Sequence, residues 1–214
     1  MFEWSEYLKF FIGLIAILNP IGVIPIFINL TQQQDTAERN ATARTTGMSV
    51  AIVLLVGLLA GEFILNVFGI SIASFRVGGG ILILLMAISM MNATMSPARQ
   101  TAEEARDAIM KEQVAVVPLA IPLIAGPGAI STVIVYANRA TENQLMHQAV
   151  LGVGVLLVAA LIWFVFRMAE PLSRRLGRTG INVVTRIMGL IMAAIGVEFM
   201  ANGLKGLFPV LAVS

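Results

Sequence analysis

Two stretches place helix breakers inside apolar runs. One is Asn19-Pro20-Ile21-Gly22, with Pro25 close behind; the other is Gly126-Pro127-Gly128, with Pro118 and Pro122 ahead of it. A proline donates no backbone hydrogen bond and a glycine weakens a helix further, so each stretch releases amides and carbonyls that need a partner. Unwound backbone of this kind suits a ligand with polar ends. Amides at the start of a half-helix take a negative group, while carbonyls and the Asn19 side chain take a positive one. Ser131 and Thr132 follow the second break by one turn. They either line the same pocket or bond back to a carbonyl one turn earlier.

The ionisable residues inside apolar stretches are the next candidates, because a charge in hydrocarbon is costly enough to need a reason. Glu198 stands deep in the last such stretch, with Asn202 and Lys205 on the same helical face at i+4 and i+7. It suits a carrier of a coupling ion, with Asn202 beside it, or else a structural pair with Lys205. Glu62 and Glu170 lie near the ends of apolar stretches, followed after short connections by Arg76 and Arg186. Glu62 with Arg76 and Glu170 with Arg186 read as gates that form alternately, or as helix-end charges reaching for the headgroups. Cysteine is absent, so thiolate chemistry and disulfides are excluded. A single histidine, His147, gives a metal site nothing to be built from, and no cofactor motif is present: "GVG" at 152–154 has no third glycine and no preceding strand.

The elements that position these residues are set by composition. Of 214 residues 58% are hydrophobic and 12% charged, with a mean hydropathy of +0.89, which belongs in a bilayer. Crossing a hydrocarbon core of about 30 Å takes roughly 20 residues. Six stretches meet that length, near residues 9–30, 47–68, 75–94, 114–137, 147–167 and 182–204. The first opens with "MFEWSEYLKF", without a basic leader or a cleavage site, and is read as a true span. A net charge of +2 is too small to argue for nucleic acid. The cations are unevenly placed. Ten fall on or beside the odd-numbered connections, among them Arg39, Arg44, Arg99, Arg174 and Arg186, against four on the other side, Lys9, Arg76, Arg139 and Lys205. That bias predicts both termini on the periplasmic side. Residues 96–112 predict a cytoplasmic helix capped by Ser96, with Pro97 at its first position.

The chain also repeats itself. Pro20 aligns with Pro127, Glu62 with Glu170, Gly69 with Gly180 and Arg76 with Arg186, at offsets of 107, 108, 111 and 110. The expected fold is therefore all-α: a polytopic membrane protein of six helices in two three-helix repeats, residues 1–95 and 114–214, joined by a linker at 96–113. Three spans per repeat is an odd number, so the second repeat must be inverted, with broken helices 1 and 4 at matching depth.

"FFIGLIAILNPIGVIPIF", "VPLAIPLIAGPGAIST" and "GINVVTRIMGLIMAAIGVEF" resemble the three signature stretches of the MarC family, six-span bacterial inner-membrane proteins also described as a neutral amino acid transporter family. The likeness runs over nearly the whole chain. It implies carriage of small neutral amino acids such as alanine or glycine, whose carboxylate and ammonium must both be matched in a dry site. The substrate-binding candidates are then Asn19, Pro20, Gly22, Gly126, Pro127, Gly128, Ser131 and Thr132, with a proton or sodium as coupling ion. A secondary transporter is the expected class. An oligomeric channel for small polar solutes is the alternative, and a homo-oligomer is left open as a partner. An intramembrane enzyme has no support from paired aspartates, a Ser/His set or HExxH.

Overall fold

The computed structural model describes residues 4–92, 124–139 and 143–212. The first helix, α1 (Trp4–Leu18), stops one residue short of Pro20, and α2 (Pro20–Leu30) starts there with the proline in its first turn. The residue between them, Asn19, has φ 43° and ψ 61°, the left-handed region that asparagine tolerates better than other side chains. After a short turn comes α3 (Thr36–Val67), then α4 (Ile72–Met91). The second break is followed by α5 (Pro127–Ala137), then α6 (Gln144–Arg167) and α7 (Ala169–Leu207), with a 3-10 turn at Pro209–Ala212. Among the described residues five segments are long and apolar enough to cross a membrane: Trp4–Leu30, Thr36–Val67, Ile72–Met91, Gln144–Arg167 and Ala169–Leu207. Pro127–Ala137 is a shorter apolar helix, and no strand occurs among the described residues. The expected helix at 96–112 and the first part of the fourth apolar stretch lie outside the described residues.

Two boundaries differ from those that hydropathy predicts. Helix α3 begins at Thr36, well before the apolar stretch at 47, because Asp35 and Glu38 form a capping box that starts the helix in polar sequence. Its 32 residues, about 48 Å at 1.5 Å each, carry Arg39 and Arg44 beyond an apolar core of about 30 Å. Helix α7 likewise begins at Ala169 and bends at Gly177, where φ is 62° and ψ is 176°. Gly69, in the turn after α3, is left-handed as well, at φ 65°. Gly69 thus shares a positive φ with Gly177, whereas Gly180, which sequence alignment pairs with it, is helical.

Helices in lipid gain nothing from hiding apolar surface from water, so close backbone approach and van der Waals contact must hold them. The α4–α7 pair shows how. A methyl group on Gly80 would lie 2.7 Å from the Gly196 carbonyl oxygen, and one on Gly196 would lie 2.9 Å from that of Gly80. Methyls on Gly203 and Gly189 would come within 2.9 and 3.2 Å of the carbonyls of Ala73 and Ala87. Small residues therefore face each other every seven positions along an antiparallel pair. Helices α3 and α6 are antiparallel too, with Gly47 against Ala159 and Gly152 against Leu55 and Leu58. By contrast α5 runs parallel to α3, where Gly57 meets Ile130 and Gly61 meets Ile134. Large apolar side chains point outward on α3 (Leu59, Phe63), α6 (Leu157, Phe164) and α7 (Leu190, Val197), as a lipid-facing surface requires.

Candidate functional site

The first break is closed by its own residue. The Asn19 amide donates to the Ile15 carbonyl at 2.8 Å and ends α1, while its side-chain oxygen accepts from the Gly22 amide at 3.2 Å and caps α2. Its Nδ2 is buried without a partner. A side chain at Gly22 would meet that nitrogen at 2.1 Å and the Thr185 hydroxyl of α7 at 2.8 Å. The absence of a side chain at Gly22 thus makes room for the cap and for α7. Pro20 is buried, and Pro25 lies inside α2.

The second break is arranged differently. Gly126 is the N-cap of α5 in extended backbone, with φ −69° and ψ 177°, and no side chain caps the helix. Its carbonyl accepts from the amides of Ala129 at 3.0 Å and Ile130 at 3.2 Å. A methyl on Gly128 would meet Ile83 of α4 at 3.0 Å and Ile17 of α1 at 3.7 Å, so this glycine also faces protein, and it brings the second break against the last turn of α1. The two hydroxyls part company. Thr132 donates back to the Gly128 carbonyl at 2.8 Å, whereas the Ser131 hydroxyl is buried with no partner. Gly126, Pro127 and Ser131 line a mostly apolar cavity of about 880 Å³ against Ser74, Phe75 and Gly79 of α4. Asn19, Pro20 and Gly22 line neither this cavity nor the charged one below.

The expected gates do not pair as their order in the chain suggests. Glu170 bonds Arg39, and Arg174 at 3.3 Å, instead of Arg186; Glu62 and Arg76 form no ion pair with each other. The reason is reach across the fold: Arg39 at the start of α3 is brought beside the start of α7, where it also donates to the Thr31 carbonyl at 3.3 Å and so caps the end of α2. At the opposite end of the molecule Glu6 of α1 bonds Arg139, just past α5, and Lys9 at 2.9 Å. There His147 is held between the Tyr7 hydroxyl at 3.0 Å and the Tyr136 carbonyl at 2.8 Å, a bracing role between α1, α5 and α6. Arg139 stacks over the Tyr136 ring at 4.1 Å.

Glu198 and Asn202 share an exposed face of α7, with Asn202 Nδ2 donating to Glu198 Oε1 at 3.3 Å, and Glu198 makes no ion pair with Lys205. Both line a cavity of about 440 Å³ whose other polar walls are Glu6, Lys9, Arg76, Thr132, Tyr136 and Arg139. Glu6, Tyr136 and Arg139 have no place among the sequence candidates: each is ordinary at a helix end, and only the packing of α1 on α5 assembles them. Among the described residues no group of three or more His, Cys, Asp or Glu side chains is placed to hold a metal.

Apolar helices long enough to span, broken by prolines and joined through glycine contacts, define a polytopic helical integral membrane protein. The chain belongs to the MarC family: the sequence model of the MarC family integral membrane proteins matches residues 4–208. It is similar to the UPF0056 membrane protein YhcE of Escherichia coli, 47% identical over 97% of this chain and 96% of that one. It is also similar to the UPF0056 membrane protein YvbG of Bacillus subtilis, 40% identical over 97% and 98%. A UPF0056 membrane protein of Methanocaldococcus jannaschii is 36% identical over 95% of this chain and 98% of its own. No solved structure matches the chain significantly.

Proposed function

We propose that the protein is a secondary transporter of small neutral amino acids of the alanine or glycine kind, working by alternating access in the bacterial inner membrane. In this reading it is built from six spans in two inverted halves, with α5 the second part of the fourth, both termini periplasmic, and a proton or sodium ion coupled through Glu198 and Asn202. One observation carries it. Two eleven-residue helices, α2 and α5, each begin at a proline after a break, and each packs on the last long helix of the other half: α2 on α7 and α5 on α4. Paired interrupted helices of this kind are where inverted-repeat transporters hold their substrates, and here the helix start without a side-chain cap is that of α5. The antiparallel contacts of α3 with α6 and of α4 with α7 support the inversion.

Counterflow in reconstituted vesicles tests the reading. Vesicles preloaded with unlabelled alanine should draw in labelled alanine transiently and saturably; a flux that grows linearly with concentration would mark a channel. Single cysteines test the orientation without native background. Cysteines at Ser5 and Ser214 should react with an impermeant reagent in intact cells and one at Gln100 only after permeabilisation; the reverse pattern turns the protein over.

A further inference from the structure

The 440 Å³ cavity between α1, α4, α5 and α7 is lined by charges of both signs, Glu6, Lys9, Arg76, Arg139 and Glu198, of which Glu6 pairs with Lys9 and Arg139 while Arg76 and Glu198 form no ion pair with each other. Its volume falls within the roughly 300–1,000 Å³ typical of small-molecule sites. At its outer edge the ion pair of Glu6 and Arg139 is already made. Deeper in, Arg76 and Glu198 are not paired. Arg76 is four residues into α4 and half-buried, and its Nε is buried with no hydrogen-bond partner. The α4–α7 register, with Gly80 on Gly196 and Ala73 on Gly203, puts Arg76 level with Met200 and Glu198 level with Gly78. Two residues of offset are about 3 Å along a helix, so the cation and the carboxylate stand at nearly one depth. Tyr136 lines the same cavity, within electrostatic reach of both. Among the described residues Glu198 has Asn202 as its hydrogen-bond partner.

A guanidinium with an unmatched donor inside a membrane protein calls for an anion, and its planar fork takes a carboxylate in two parallel bonds. A carboxylate at the same depth across a cavity calls for a cation. One ligand class satisfies both: a small zwitterion with an acid and an ammonium at opposite ends. We propose that this cavity is a zwitterion-selecting vestibule, in which Arg76 holds the carboxylate of a small amino acid and Glu198, steadied by Asn202, holds its ammonium. Thr132, one turn past Gly128, forms its inner end beside the second break, and the Glu6–Arg139 pair borders its mouth. In the empty state the Glu198 carboxylate is available to the coupling ion. The choice of an amino acid as cargo rests on the transporter reading; the site itself rests on Arg76 and Glu198.

The test is equilibrium binding to the full-length protein in nanodiscs, followed by thermal shift, with three probes: alanine, alaninamide, which lacks the carboxylate, and propionate, which lacks the ammonium. Alanine should bind at least tenfold more tightly than either analogue. Arg76→Gln and Glu198→Gln should each weaken alanine at least tenfold, with Arg76→Lys recovering part of the loss. In the wild-type protein, which needs no variant to fold, alanine should protect Arg76 from phenylglyoxal, as mapped by peptide mass spectrometry. Unchanged alanine affinity in both glutamine variants, equal modification of Arg76 with and without alanine, or no binding of alanine at all overturns the vestibule. The two readings fail separately. Counterflow with wild-type affinity in Arg76→Gln leaves the transporter and removes this site, whereas Arg76-dependent binding without counterflow leaves the site and removes the transporter.

Discussion

Asn19-Pro20 and Gly126-Pro127 each start an eleven-residue helix at a proline, yet they meet the needs of the backbone in opposite ways. At the first, one left-handed asparagine finishes α1 and caps α2, with Thr185 close beside Gly22, so that only its Nδ2 is left over. At the second, a glycine in ordinary extended backbone caps α5 with its carbonyl alone, and a buried Ser131 hydroxyl one turn on has no partner. A pair of breaks at matching repeat positions need not be a pair of half-sites. The first is built as a rigid elbow, and the second carries the cavity and the unspent polar group.

Bulk at the first elbow should have the largest effect. In Gly22→Leu the new side chain has to displace the Asn19 cap and Thr185, and we expect a cost of about 3 kcal/mol or more. Gly128→Leu presses on Ile83 at 3.0 Å, a looser contact than any at Gly22, and should cost less, about 1–3 kcal/mol. Recovery of monodisperse protein after graded heating measures both, and equal losses would erase the distinction between the breaks. Next in size is Asn19→Ala, which removes a helix cap worth about 1–2 kcal/mol and adds left-handed strain of about 1 kcal/mol. Asn19→Gly should recover the strain but not the Nδ2 or the cap, and so fall between alanine and wild type in the same heating assay. The smallest change in stability should come from Ser131→Ala, within about 0.5 kcal/mol, since a hydroxyl without a partner contributes no bond to lose. The same variant should nevertheless weaken alanine in counterflow if the second break is the open one; a stable Ser131→Ala with wild-type affinity would close it.

Much of this was legible along the chain because the physics is local. A proline removes its own hydrogen bond and constrains its neighbour, so the ends of α1 and the start of α5 follow from Pro20 and Pro127 themselves. The role of Asn19 as a hydrogen-bonding residue at the break was also legible, although its left-handed backbone was not. What hydropathy misplaced were the starts of α3 and α7, where a polar capping box and a glycine bend act in sequence that carries no apolar signal. The neighbours of Gly22 and Gly128 were not legible for a different reason: a glycine in a broken helix looks the same in sequence whether a ligand or a neighbouring helix fills the space beside it.

Composition and the spacing of apolar runs, taken alone, determined a helical membrane protein with interrupted helices and singled out Glu198 as a charge in a costly place, with Arg76 a helix-end charge. Both features depend on contacts no longer than a few helical turns. The tertiary structure alone decided the partners of the charges. Glu170 finds Arg39 rather than Arg186, and Glu6 finds Arg139, because each choice is made across more than a hundred residues by which helices lie together. It also decided that Arg76 and Glu198 stand at one depth on one cavity. Glycine contacts between α4 and α7 set that register, and such contacts fix distance only once two backbones meet.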